Sequence, residues 1–171
     1  IVAGCTGSTT TNVTITTPTA SAANAGPYCA GATIQLNAPA GTAYNWTGPG
    51  GFTSTLQNPT IPVATTGMSG VYDVTVSIGT CSAAATTSVT VNALPVANAG
   101  ADVSIASGQS TILTASGGDS YLWSNGATTA SITVNPTATT TYEVTVNKNG
   151  CTSTDTVTVA VNGAVAPPFT V

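Results

Sequence analysis

The chain has 171 residues, of which 42% are hydrophobic, but it contains one Lys or Arg, five Asp or Glu and no His. A single cation cannot neutralise a row of phosphates, so the composition excludes nucleic acid and anionic membrane surfaces as partners. Without His, Ser-His and Cys-His catalytic pairs are impossible, and the five acids are scattered along the sequence. We therefore predict no enzyme activity and no catalytic, metal or cofactor site.

The apolar residues alternate with polar ones in short runs, and no window has the 3.6-residue spacing of a helix. Gly, Pro, Asn and Ser separate the runs, and no run reaches the ~18 apolar residues of a membrane-inserted helix. Several short strands at this spacing predict an all-β chain of β-sandwich domains. Clear examples are Thr33–Leu36, Val71–Val76, Thr111–Thr114, Ser131–Val134 and Thr156–Val159.

The runs recur as a repeat. Tyr44-Asn-Trp46 matches Tyr121-Leu-Trp123, and a Tyr-acid-Val-Thr-Val strand recurs before Cys81 and before Cys151. We therefore expect two full domains of roughly 70 residues, each able to bury a modest core. The predicted boundaries are 1–17 for the last strand of a preceding or neighbouring unit, 18–93 for domain 1, 94–162 for domain 2, and 163–171 for a linker and the first strand of a following unit.

Four aromatic residues occupy equivalent places in the two repeats. Trp46 and Trp123 lie where a sandwich buries a Trp on its third strand. Tyr72 and Tyr142 lie near the start of the penultimate strand, where the hydroxyl of a tyrosine corner bonds back to the backbone. We expect core and corner roles for these residues. The alternative is an exposed aromatic platform for sugar stacking.

These motifs resemble a known family. The elements are Cys29-Ala-Gly31, a Tyr-x-Trp strand followed by a Gly-rich turn, Gly70-Val-Tyr-Asp-Val-Thr-Val76, and Gly-x-Cys or Gly-Cys. Together they are similar to the tandem immunoglobulin-like and PKD-like repeats of large surface proteins in Bacteroidetes-type bacteria. The resemblance implies tandem immunoglobulin-like sandwiches at the cell surface or outside the cell. Domain 2 departs from the pattern at Ala106, where a repeat with Cys would match Cys29.

The resemblance leaves two schemes for the disulfide candidates Cys5, Cys29, Cys81 and Cys151. One pairs Cys29 with Cys81 inside domain 1. In an immunoglobulin-type sandwich, however, these two positions lie at opposite ends, far beyond the ~5.5–6 Å Cα separation that a disulfide requires. We therefore favour a second scheme, in which Cys29 bonds Cys151 at the junction of head-to-tail repeats. Cys5 and Cys81 then pair with cysteines of upstream units.

A second modification signal is Asp155-Thr-Val157, which is similar to the short acceptor motif for O-glycans in such bacteria. It makes Thr156 a candidate O-glycan site. A glycan there would help to keep so uncharged a surface in solution. Otherwise Thr, Ser and Asn, or neighbouring copies, must cover the surface.

We interpret the chain as a non-enzymatic structural component of an extracellular filament or adhesin stalk. Its partners would be copies of itself or adjacent repeats, with glycans as a further class. Val13 and Ile15 could complete a neighbour's sheet by strand donation. The alternatives are a carbohydrate- or surface-binding adhesive module, which requires exposed aromatics, and an immunoglobulin-like spacer of a secreted enzyme.

Overall fold

The structure is a computed structural model that describes residues 17–163. That range contains fifteen β-strands, two short 3-10 turns at Pro49–Gly51 and Thr66–Met68, and no α-helix. No helix of this range has the length and apolar character needed to cross a bilayer. In chain order the strands are β1 Ala23–Asn24, β2 Tyr28–Cys29, β3 Ile34–Asn37, β4 Ala43–Gly48, β5 Phe52–Ser54, β6 Thr60–Ile61, β7 Gly70–Ile78, β8 Cys81–Val89, β9 Val91–Asn92, β10 Val103–Ala106, β11 Thr111–Thr114, β12 Ser120–Trp123, β13 Ser131–Val134, β14 Thr140–Lys148 and β15 Cys151–Asn162.

The strands predicted from alternation are confirmed. The runs Thr111–Thr114 and Ser131–Val134 are β11 and β13 with the same bounds, and Thr33–Leu36 is shifted by one residue in β3. The other two runs are the central parts of β7 and β15, which extend further in both directions. Alternation therefore located the strands, but the predicted runs were shorter than the two long strands, in which Ile78 and Val161 continue the alternation.

The described chain divides into two compact units that do not follow the repeat boundaries. The first comprises residues 17–25, 35–60 and 70–88, and the second comprises 26–34, 61–69 and 89–163. Three short segments of the first sequence repeat, 26–34, 61–69 and 89–93, are therefore grouped with the second repeat. The domain boundaries at 17, 93 and 162 stay predictions.

The first unit has two sheets. One has the strand order β5-β4-β7-β8 and the other β1-β3-β6. Strand β4 pairs antiparallel with β7, and the register places Trp46 opposite Val74 and Tyr44 opposite Val76. Trp46, Val74 and Val76 are completely buried, as are Leu36 and Tyr72. These side chains form the interior of this unit.

The second unit also has a four-stranded sheet and a smaller one. Its larger sheet has the order β10-β15-β14-β12, in which β10 runs parallel to β15 and the other pairs are antiparallel, and its smaller sheet pairs β11 with β13. This pairing of first with last strand is that of an immunoglobulin-like sandwich. A short parallel pair, β2 with β9, completes the unit. Its core contains Trp123 opposite Val144 and further apolar residues: Ala99, Ile105, Leu113, Ala115, Ile132, Val134, Val146, Val157 and Val159.

The outward face of β14 and β15 carries mostly hydroxyl groups. The register aligns Thr141 with Thr158, Thr145 with Thr154, and Asn147 with Thr152. Glu143 is aligned with Thr156, and both are exposed. Thr156, the predicted glycan site, is therefore accessible on this face. Its glycosylation stays a prediction.

Candidate functional site

The turn between β14 and β15 presents Cys151. Lys148 is the register partner of Cys151, so the loop between them has two residues, Asn149 and Gly150. Both have positive φ, 52° and 81°. This is the type I′ geometry for which Asn-Gly is the preferred sequence, because its twist matches that of the two strands. The turn therefore fixes Cys151 as the first, buried residue of β15.

Cys29 is held by backbone pairing on both sides. The N–H of Tyr28 donates to the Thr90 carbonyl at 2.9 Å, and the N–H of Ala30 donates to the Asn92 carbonyl at 2.8 Å. The chain then turns back through a hydrogen bond from the Ala32 N–H to the Cys29 carbonyl, at 3.0 Å. Cys29 is thereby fixed at the end of the short strand β2.

Cys29 and Cys151 form a disulfide. The sulfur atoms are 2.05 Å apart and the Cα atoms 5.6 Å apart, within the usual range. Beside this bond, the side-chain amide of Asn92 donates to the Asn149 carbonyl at 3.0 Å. The structure thus contains the disulfide of the second scheme and lacks the Cys29–Cys81 bond of the first. Both cysteines lie in the second compact unit, although Cys29 comes from the first sequence repeat.

Cys81 occupies the equivalent turn of the first unit. It begins β8 directly after a turn in which Gly79 has a positive φ of 61°. The thiol is partly buried and has no disulfide partner between residues 17 and 163. Cys5, Val13 and Ile15 lie outside the described residues, so their predicted roles stay predictions.

The two Trp residues are core residues. Both are at most 1% exposed, and their indole N–H groups donate to the carbonyls of Leu56 and Thr129, each at 3.0 Å. A shallow depression of about 360 Å³ is lined by Leu122, Glu143 and the turn after Trp123, but the Trp ring is buried beneath it. Neither indole can act as a sugar-stacking platform, so that alternative loses its two Trp residues.

Tyr142 is partly buried against the core, but the tyrosine-corner prediction is wrong for it, because its hydroxyl makes no hydrogen bond within residues 17–163. Tyr72 is completely buried, its ring edge contacts Phe52, and burial raises the pKa of its hydroxyl. A corner hydrogen bond of Tyr72 stays a prediction. The hydroxyls of Tyr44 and Tyr121 do return to nearby backbone.

Tyr44 and Tyr121 each contact a glycine three residues earlier. The hydroxyl of Tyr121 donates to the Gly118 carbonyl at 2.9 Å. The Tyr44 hydroxyl has its one hydrogen within reach of the Pro39 and Gly41 carbonyls, at 3.1 and 3.2 Å, and accepts from the Gly41 N–H. The Gly-x-x-Tyr spacing occurs in both repeats, so it was a signal available in the sequence. Both glycines approach the neighbouring long strand so closely that an added Cβ would overlap it, at the Asn147 carbonyl for Gly118 and at a Val76 methyl for Gly41.

Two of the five acids connect the last strand to the segment before β10. The Ala99 N–H donates to Asp155 Oδ2 at 2.8 Å, and the Thr158 N–H donates to Asp102 Oδ1 at 2.8 Å. The hydrogen bonds from the backbone N–H groups of Ala99 and Thr156 lower the pKa of Asp155. Among residues 17–163 there is no group of three or more acids or cysteines placed to hold a metal ion. Asp155 and Asp102 thus have structural contacts.

No family model matches the chain, and no curated protein matches it. Solved structures with similar strand arrangements include three N-terminal domains of the bacteriophage RB49 Hoc capsid protein (20% identity, TM-score 0.46), covering 85% of this chain and 59% of that one. Drosophila OTK extracellular domains 3–5 are 10% identical with a TM-score of 0.49, and the match covers 79% of this chain and 58% of that one. The titin fragment I67–I69 is 10% identical with a TM-score of 0.47, and the match covers 88% of this chain and 67% of that one. The chain thus spans less than two thirds of the Hoc and OTK chains. These TM-scores are below 0.5, so the fold assignment depends on the strand pairing described above.

Proposed function

We propose that the protein is a structural component of an extracellular filament or adhesin stalk, built from immunoglobulin-like domains in head-to-tail order. The motif resemblance to bacterial surface repeats supports this, as does a disulfide, which forms and persists in oxidising compartments outside the cell. Its partners are further copies or adjacent repeats. Strand donation through Val13 and Ile15 belongs to the same proposal.

The observation that carries the proposal is the different state of two equivalent cysteines. Cys151 follows the hairpin turn of the second repeat and bonds Cys29 of the first repeat. Cys81 follows the equivalent turn and is unpaired within residues 17–163. If each turn cysteine bonds a cysteine of the repeat before it, Cys81 bonds a cysteine that occupies the position equivalent to Cys29. That partner belongs to a preceding repeat or to another copy.

The test is the mass of native material under denaturing conditions, with and without reductant. We expect species above 16.6 kDa without reductant, and a cross-linked peptide in which Cys81 is bonded to another cysteine. Collapse on reduction identifies separate subunits joined by disulfides, whereas a large mass that survives reduction identifies one long repeat protein. A 16.6 kDa species in both conditions, with a Cys81 thiol that reacts with iodoacetamide, would refute a cross-linked array.

The recovered peptides also provide an internal control. The Cys29–Cys151 peptide pair must be present in every native sample, because that bond does not depend on assembly. A Cys29–Cys81 linkage would contradict both the structure and the array. Cys81→Ser should abolish the bond from that turn and leave the control peptide pair unchanged.

A further inference from the structure

We infer that the Cys29–Cys151 disulfide prevents residues 30–150 from being extended when the chain is pulled from its two ends. The inference concerns how the proposed stalk or filament carries tension, and it rests on that proposed function for its biological meaning. The physical claim depends only on the disulfide and on the order of residues along the chain.

The argument begins with connectivity. Cys29 and Cys151 are separated by 122 positions in sequence but by 5.6 Å between Cα atoms. Tension that enters before Cys29 and leaves after Cys151 passes through the sulfur–sulfur bond, because this covalent path is far shorter than the chain between the two residues. Residues 30–150 form a closed loop beside that path. Unfolding within the loop adds no length between the ends.

The loop contains most of the folded structure. Strands β3 to β14 lie entirely within it, and so do both buried Trp residues. The described load-bearing chain is limited to residues 17–29 and 151–163. The sandwich cores are thus protected by covalent topology, whatever the strength of their noncovalent contacts.

The C-terminal part of the load-bearing path is already extended. It is β15, which runs from Cys151 to Asn162 as one strand, and a strand rises about 3.3 Å per residue against a maximum of about 3.6 Å. This strand pairs with β14 along its first nine residues and with β10 along its last four. Tension along β15 therefore meets a nearly taut segment that can lengthen little.

Reduction of the disulfide increases the length to which the chain can be extended. The loop of 122 residue steps would enter the load-bearing path and could add about 430 Å at full extension. For residues 17–163 the maximum end-to-end length would rise from about 90 Å to about 510 Å, roughly sixfold. The bond thus sets the extensibility of the chain, and thiol reductants would change it.

The test is single-molecule force spectroscopy on the full chain, held by handles at its two ends. We expect the oxidised wild type to release no length from the loop, and the same molecules in dithiothreitol to release about 430 Å more. Cys29→Ala/Cys151→Ala should match the reduced protein, and Cys81→Ala, the matched control, should match the oxidised wild type. Because contour length counts the residues in the path, the double variant is informative even if it does not fold.

Equal lengths for oxidised and reduced wild type would overturn the inference, as would release of about 430 Å from oxidised Cys81→Ala. These results are independent of the mass measurement that tests assembly. A monomeric protein that shows the length difference would support this inference and refute the cross-linked array. A cross-linked array that shows no length difference would support the array and refute this inference.

Discussion

Gly118 should tolerate a side chain poorly. A Cβ at this position would overlap the Asn147 carbonyl oxygen and Val146 Cγ1. The valine methyl can rotate, but the carbonyl belongs to β14 and accepts a hydrogen bond from the Asp119 N–H at 2.8 Å. Gly118→Ala must therefore move backbone, at the upper end of the ~1–3 kcal/mol typical of overpacking. We expect a loss of about 3 kcal/mol in the free energy of unfolding.

Two other glycine-to-alanine substitutions provide comparisons for the stability loss expected of Gly118→Ala. At Gly41, the equivalent position of the first unit, a Cβ would lie 2.5 Å from Val76 Cγ1 but 3.2 Å from the nearest backbone atom, the Ser77 oxygen. Only the buried Val76 side chain, and not backbone, must shift there, so Gly41→Ala should cost about 1–2 kcal/mol. Gly67→Ala meets nothing closer than 4.0 Å and should be neutral within about 0.5 kcal/mol.

The assay is urea denaturation followed by Trp fluorescence, since the chain's two Trp residues are both buried in the native state. The three variants should rank Gly118→Ala, Gly41→Ala, Gly67→Ala in decreasing loss of stability. If Gly118→Ala unfolds at the same urea concentration as Gly67→Ala, Gly118 does not lie as close to the Asn147 carbonyl of β14 as the structure shows.

Three further predictions use the same assay. Tyr121→Phe removes the hydroxyl that donates to the Gly118 carbonyl and should cost about 1 kcal/mol, whereas Tyr142→Phe should be nearly neutral; equal losses would contradict this assignment. The pKa of Asp155 is lowered in the folded state. The ionised carboxylate therefore stabilises the fold above the unfolded-state pKa of about 3.9, and this stabilisation is lost as pH falls through the folded-state pKa. Asp155→Asn should reduce the decrease in the free energy of unfolding on acidification, and the same dependence as wild type between pH 2 and 6 would refute this prediction. Reduction of the disulfide, which closes a loop of 122 positions, should lower stability by up to about 5 kcal/mol, and no change in the denaturation midpoint would show that the bond is absent.

The sequence was most informative where a pattern repeated. Alternation located the strands because side chains of a half-buried strand point to opposite faces in turn. The recurring Tyr-x-Trp motif correctly predicted the buried Trp46 and Trp123, since a large aromatic side chain at equivalent places is most often core. The distance argument also identified Cys151 as the partner of Cys29, because a sandwich keeps the two ends of its strands apart.

The errors arose where two residues of one type competed for a role. Tyr142 was assigned the backbone hydrogen bond by strand position, but Tyr121 makes such a bond because it lies three residues after Gly118. Nor could the repeat show that residues 26–34 and 61–69 group with the later part of the chain. That grouping depends on contacts such as the hydrogen bond from the Gly31 N–H to the Ala64 carbonyl, which leave no periodic signal.

The threonine-covered face of β14 and β15 has a consequence for the environments that the protein tolerates. Its water is held by hydroxyl and amide groups that do not ionise, and Glu143 is the one acid aligned in the outward register of these two strands. Salt screens charges but has little effect on hydroxyl hydration. The wetting of this face should therefore be almost the same in dilute and in physiological salt, and on either side of neutral pH. A surface with so few charges gives up electrostatic repulsion between molecules and becomes nearly indifferent to ionic strength.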